Sequence, residues 1–246
     1  MGDMKVRLTF SRHESARFIS HLDAMNHLLR AVRRSGLPYQ VTQGCHPRPK
    51  TSFGPPVALG FASRCEVMDL TLRESVPVEE AANLVRQQLP IGFGLVSAVA
   101  VEPGMPPLTA EAETEFRLEF APDAAELRET ARRFFLDPET RIRAGKPGQE
   151  REVILAGAVS EARLVDGPPL ALHLIFAAPA KGIPSGAKII QAFLAGLGDR
   201  RPQITLIERV RISAAVAVRQ VSPNHSQTQQ EVTSEFAKNS GDGGPV

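Results

Sequence analysis

The chain has 246 residues, 42% of them hydrophobic and 23% charged, an ordinary globular composition with length enough for one large or two small domains without disulfide or metal staples. No apolar run approaches the roughly 18 residues that span a bilayer, the charged and alternating first ten residues do not read as a secretory leader, and two cysteines, Cys45 and Cys65, give no disulfide framework. The expectation is a cytoplasmic protein without a membrane partner. Net charge is only +2, yet residues 1–50 hold nine Lys/Arg against Asp3, Glu14 and Asp23, so the first fifth is +6 and the remainder −4. That asymmetry points either to a polyanionic partner or to a solvated basic face.

Met4–Phe10 alternates apolar and polar residues and predicts a half-buried strand. Ser20 with Asp23 three residues on predicts a capped helix start, and Leu22, Met25, Leu28, Leu29 and Val32 form an apolar stripe that ends at Gly36 and Pro38. A short Tyr39–Val41 strand follows, then a Pro/Gly-rich stretch from Gln43 to Gly60, a strand at Glu66–Leu72, a helix at Val78–Leu89 and a strand at Leu95–Val101. The order is β-α-β-β-α-β. After a linker at Pro103–Pro107 the plan repeats: strand Glu115–Phe120, helix Ala124–Phe135, a hairpin of Val153–Leu164 with Leu170–Ala177, helix Lys188–Leu197 and strand Ile204–Val218. The expected fold is α+β, with two tandem ferredoxin-like (βαββαβ) modules at 1–103 and 108–219. Residues 220–246, Gln/Ser/Asn/Gly-rich and poor in apolar side chains, predict a disordered tail.

On the first helix, Asp23, His27, Arg30 and Arg34 follow spacings of 4, 3 and 4, which predicts one exposed ridge. A His one turn from an acid can act as acid or base; the same residues also make a routine solvated face. His21 falls on the apolar side at the first turn, either as a satisfied, partly buried side chain or as a catalytic one. The segment Gln43-Gly-Cys-His-Pro-Arg-Pro-Lys-Thr-Ser-Phe-Gly-Pro-Pro56 reads either as a rigid crossover or as a phosphate-binding segment. In extended backbone its His46, Arg48 and Lys50 face one way. The candidate nucleic-acid-binding set is Arg12, Arg17, Arg30, Arg33, Arg34, Arg48 and Lys50 for phosphates, with Tyr39, Phe53 and Phe18 for base stacking. Candidate acid/base residues are His46, His27 and His21. Cys45, His46, Cys65 and His21 match no metal-ligand spacing, and neither a cofactor nor a metal is expected. Arg141, Arg143, Lys146 and Arg151 flank Gly145 and Gly148 in a second basic loop, and Lys181–Gly186 precedes a helix as a weak glycine loop.

Arg17-Phe-Ile-Ser-His-Leu-Asp23, Arg30-Ala-Val-Arg-Arg-Ser-Gly-Leu-Pro38, Gln43-Gly-Cys-His-Pro-Arg-Pro-Lys-Thr-Ser-Phe53 and Ala58-Leu-Gly60 resemble the radical-SAM-linked domain family of unknown function, specifically through about residue 75. That family occurs alone or fused behind a B12-binding-type radical-SAM enzyme. The resemblance implies a radical-SAM partner and names no reaction. The chain itself has no Cys-x-x-x-Cys-x-x-Cys. Resemblance and charge together lead to the expectation of an accessory protein that binds or presents RNA to a separate radical-SAM enzyme. The alternatives are a metal-independent RNA-cleaving or RNA-modifying enzyme and a pure protein-interaction module.

Overall fold

Alternation in the first strand sets up the first core. In the computed structural model, which describes residues 3–102, 105, 113–145, 148–178 and 183–212, β1 runs Met4–Arg12 and turns Val6, Leu8 and Phe10 onto helix α1 (His21–Arg34) and helix α2 (Val78–Arg86). The opposite face of β1 is buried as well, unlike the half-buried strand that alternation predicts. Arg7 is 1% exposed and grips Asp69 through two parallel hydrogen bonds of 2.8 and 3.1 Å. The guanidinium and carboxylate satisfy one another, which is what lets a charged pair sit inside a sheet.

The predicted cap of α1 is present: Asp23 N donates to Ser20 Oγ at 3.0 Å, and Ser20 Oγ donates to Asp23 Oδ2 at 2.7 Å. Leu28, Leu29 and Val32 of the stripe are buried, but Leu22 in the first turn is 63% exposed. Gly36 at φ +76 then turns the chain out of the helix. Tyr39 and Val41 make only isolated bridges, to Leu72 and Pro49. The strand that pairs beside β3 (Ala62–Leu72) is instead β2 (Thr51–Phe53), which sequence periodicity does not reveal because it is three residues long. Strand β4 (Phe93–Ala100) completes this half.

The second half comprises β5 (Thr114–Phe120), α3 (Ala125–Leu136), β6 (Arg141–Ala144), β7 (Arg151–Ile154), β8 (Val159–Val165), β9 (Leu170–Phe176), α4 (Gly186–Ala195) and β10 (Ile204–Ile212). The single strand expected over Val153–Leu164 is two. A turn with buried Leu155 and Ala158 and with Gly157 at φ +74 interrupts it, and β7 leaves to pair with β6 in a separate two-stranded sheet. The second core is rich in phenylalanine: Phe116, Phe135 and Phe193 surround Phe176 or one another at ring-centroid separations of 5.2–6.1 Å.

Among the described residues the result is an α+β fold of four helices on a large mixed sheet ordered β4-β1-β3-β10-β5-β9-β8, with β2 also beside β3 and with β4 and β8 at the edges. All pairings are antiparallel except the one that joins the halves, where Glu208 and Arg209 of β10 lie parallel to Ala62 and Ser63 of β3. The join is reinforced from the Pro-rich stretch. Val57 and Phe61, 4% and 3% exposed, insert into the second core, and Phe61 meets Phe116 edge-on at 6.2 Å. The second part of that stretch is therefore a structural crossover. The tail at 220–246, Lys146, Lys181 and the linker apart from Met105 lie outside the described residues.

Truncating Phe61 to Ala removes a fully buried ring shared by both halves. The expected loss is about 3–5 kcal/mol, read as a lower urea midpoint in a single cooperative transition, since the cavity opens at the seam of one sheet.

Candidate functional site

The predicted basic residues separate into two groups at opposite ends of the first half. β1 carries the chain from Met4, which pairs with Leu72, to Arg12, which pairs with Ser63, and α1 brings it back. Arg33 and Arg34 therefore stand at the Met4 end, where Tyr39 bridges Leu72 and the hairpin of residues 40–50 is tied by Lys50 N to Gln40 O (2.7 Å) and Thr71 N to Lys50 O (3.0 Å). Arg12, Arg17 and His21 stand at the other end.

At the Met4 end, Arg30, Arg33, Arg34, His46, Arg48 and Lys50 are all exposed. Arg34 donates to Gln88 O at 2.7 Å, and Lys50 Nζ to Gln40 Oε1 at 3.3 Å. None of these five Lys/Arg side chains forms an ion pair among the described residues. The second half behaves differently: Arg128 pairs with Asp166, Arg132 and Arg133 with Glu129, Arg141 with Glu152, Arg163 with Glu161 and Arg211 with Glu113 and Glu115. Two of the candidate stacking rings are only partly open to solvent. Tyr39 and Phe53 are half-buried against the first core.

Among the described residues, neither His46 nor His27 is hydrogen-bonded to a second acid or base. His46 is exposed on its hairpin, and His27 is half-buried with its ring 6.4 Å from that of Phe93. Asp23 is engaged with Ser20 rather than with His27. Cys65 is buried and its thiol pushed up by desolvation, so it is an inert side chain. Among the described residues no three His, Cys, Asp or Glu side chains are grouped to hold a metal.

The opposite end holds a charged cluster that only the fold assembles. Arg12, Ser63 and Arg209 occupy one cross-strand row over β1, β3 and β10. Arg209 Nη2 donates to Glu66 Oε1 at 2.6 Å and its Nη1 to Pro55 O at 2.9 Å. Next to this, buried Glu208 accepts from Arg64 Nε at 2.9 Å and lies 3.5 Å from His13 Nδ1. Arg12, expected to reach phosphate from the surface, is 0% exposed, so it cannot share a face with Arg48 and Lys50. Burial lowers its pKa, against the attraction of Glu66. His21, expected to be satisfied, has a buried Nδ1 with no hydrogen-bond partner among the described residues and lines a slot with Phe53, Glu66 and Phe93. Burial first, then Arg12 and Arg209, hold it below the ordinary 6.5 despite Glu66.

Beside the cluster, Arg17 lies over the Phe18 ring at 4.7 Å, and Phe18 is 60% exposed. The two border an open groove of ≈ 530 Å³, counting solvent space at its mouth, with Leu59, Arg201 and Leu206. Arg209, Glu66, Glu208, His13 and Arg201 were absent from the sequence-derived set.

Residues 5–183 match the family described as "Uncharacterized protein conserved in bacteria (DUF2344)". The chain belongs to this family. No curated protein matches the chain. Solved structures to which it is similar include a DypB variant in complex with manganese, at 11% identity over 77% of this chain and 84% of that one with a TM-score of 0.20. A Rhodococcus jostii RHA1 DypB variant in complex with heme matches at 10% identity, over 76% and 83%, with a TM-score of 0.21. The encapsulated DyP-type peroxidase from Mycobacterium smegmatis matches at 10% identity, over 85% and 90%, also at 0.21. At these scores the likeness carries no conclusion about this chain.

Two outcomes are expected of the cluster. Glu66→Gln leaves Arg209 and Arg12 buried without their carboxylate and lowers unfolding free energy by about 3–5 kcal/mol in urea titration. His21 has a lowered pKa when folded, so the unfolded chain takes up its proton first. Stability is then lost as pH falls below the unfolded value near 6.5. Urea midpoints at pH 7.5 and 5.5 should differ less for His21→Gln than for the parent chain.

Proposed function

We propose that this protein is an RNA-binding accessory factor that holds or presents RNA to a separate radical-SAM enzyme in the cytoplasm. The observation that carries the RNA part is the contrast in charge pairing. Arg30, Arg33, Arg34, Arg48 and Lys50 are exposed together at one end with no carboxylate partner among the described residues, while the arginines of β5–β10 and α3 are largely neutralised by neighbouring acids. Unpaired cations on a hairpin and helix end are available to phosphates, whereas paired ones must first break a contact. The radical-SAM partner rests on the resemblance over residues 17–60. Exposed Phe18, Leu22 and Leu59, at 60%, 63% and 62%, supply an apolar surface at the far end on which a protein partner fits.

The architecture in this reading is two ferredoxin-like units, residues 1–103 and 108–219. The orders β4-β1-β3-β2 and β10-β5-β9-β8, antiparallel throughout and each with two helical crossovers, support it. In this frame each unit contributes one strand edge to the seam, and the hairpin of residues 40–50 is an excursion of the first unit beyond its sheet. The enzyme alternative has less support, because among the described residues His46 and His27 pair with no second acid/base group, and His21 Nδ1, beside Glu66, makes no hydrogen bond. Further, the three are spread over the start and the middle of α1 and the hairpin.

RNA binding measured at two salt concentrations tests the proposal. Log affinity should fall with log salt by about 0.7 per phosphate contacted. The double variant Arg48→Ala, Lys50→Ala should weaken binding and flatten that slope by about 1–1.5, and Arg12→Met should leave the slope unchanged. Salt-insensitive binding, or equal slopes for parent and double variant, rejects the RNA reading.

A further inference from the structure

The groove at Arg17 and Phe18 crosses the join between the halves. Its apolar lining draws Phe61 from the Pro-rich crossover, Leu194 from α4 and Ile204, Leu206 and Ile207 from β10. Phe18 and Leu59 border it as large exposed side chains. Gly60 N donates to Arg17 O at 2.7 Å, which ties the 3₁₀ turn Glu14–Phe18 to the residues after Leu59. Of the groove's volume ≈ 180 Å³ is open to the centre of a water molecule, against ≈ 10 Å³ in the slot beside His21. That is room for a whole apolar side chain. Two cations stand at this space. Arg17 covers the Phe18 ring, and its Nε is buried without a hydrogen-bond partner. Arg201 is exposed on the 3₁₀ turn Gly198–Gln203. Neither forms an ion pair among the described residues, not even Arg201 with Asp199 on its own turn. Glu119, across the sheet from Leu206, is already paired with Arg117 at 2.9 Å.

We propose that this groove docks a segment of a partner protein that carries one large apolar side chain flanked by Asp or Glu. The inference rests on the reading of this end as a partner surface and names the chemistry of what fits there. An apolar lining with exposed Phe18 and Leu59 at its border favours an apolar anchor. The guanidiniums of Arg17 and Arg201 only donate, and they call for carboxylates beside that anchor. RNA is the poorer occupant. A base buried here would set its N–H and C=O edges against aliphatic side chains, with the Thr205 hydroxyl as the one further polar side chain among the lining residues. A free small molecule is poorer too, because the wide mouth would leave much of its surface in water. The groove lies at the end of the first half opposite Arg33, Arg34 and Lys50, so docking here leaves those cations open.

The test is selection of a phage-displayed random dodecapeptide library on the immobilised full chain. Enriched peptides should share Leu, Ile, Met or Phe with Asp or Glu within a few residues. The most enriched peptide, labelled and titrated by fluorescence anisotropy, should bind Leu59→Glu about tenfold or more weakly and Arg201→Ala about 2–5-fold more weakly. Both positions are exposed, so the variants keep the fold. Selection on Arg201→Glu should shift the flanking residues toward Lys and Arg. The double variant Arg48→Ala, Lys50→Ala should bind the peptide as the parent does, which separates this result from the RNA reading. Enriched peptides without acidic flanks overturn the proposal, as does displacement of the peptide from the parent chain by poly(U) RNA. Binding undiminished in Leu59→Glu and Arg201→Ala puts the peptide elsewhere, which overturns the groove and leaves the partner reading standing. A library that yields no enriched sequence overturns both.

Discussion

Everything at the centre of this molecule depends on the seam between β3 and β10. Two residue rows of parallel pairing, Glu208–Ala62 and Arg209–Ser63, are a weak bond on their own. Three further interactions fix it. Arg209 ties Glu66 to the carbonyl of Pro55, Glu208 holds Arg64, and Val57 with Phe61 inserts into the phenylalanine core of the other half. Each links residues more than 50 positions apart, so the seam exists only when both halves are folded. The row containing Arg12 exists on the same condition.

Charge pairing divides the surface more sharply than net charge does. Glu129 illustrates the paired state: hydrogen bonds from Arg132 and then Arg133 pull its carboxyl down to about 2, on a helix face open to water. The basic residues of α3 thereby present little net field outward. At the C-terminal end of α1 no acid intervenes, and the helix dipole adds a preference for cations there, so Arg33 and Arg34 are tolerated side by side.

Much of the fold is legible from local rules. The Ser20 cap, the apolar stripe from Leu28 to Val32, the alternation of β1 and the order of the long strands and helices all follow from short-range chemistry that the chain carries in the clear. Other features are not local. β2 is too short for a period, and the break at Gly157 is masked by apolar neighbours on both sides. Phe61 and Val57 look like ordinary loop residues until the second core is assembled around them. The charged cluster is hidden for the same reason: nothing near Arg209 in sequence indicates Glu66, and nothing near Arg12 indicates that a strand from the other half will bury it. Counting basic residues finds the exposed cations and cannot separate them from an enclosed one.

The two edges of the sheet are guarded unequally. β8 shows Glu161 and Arg163 to solvent, charges that disfavour a neighbouring strand. β4 reads Phe-Gly-Leu-Val-Ser-Ala-Val-Ala, with neither charge nor proline, and its Val96 is 55% exposed. In the described sheet its outward N–H and C=O groups have no strand beside them. The sheet is thus defended on one side only, among the described strands. Charge stands against a further strand at β8 and is missing from the strand at β4.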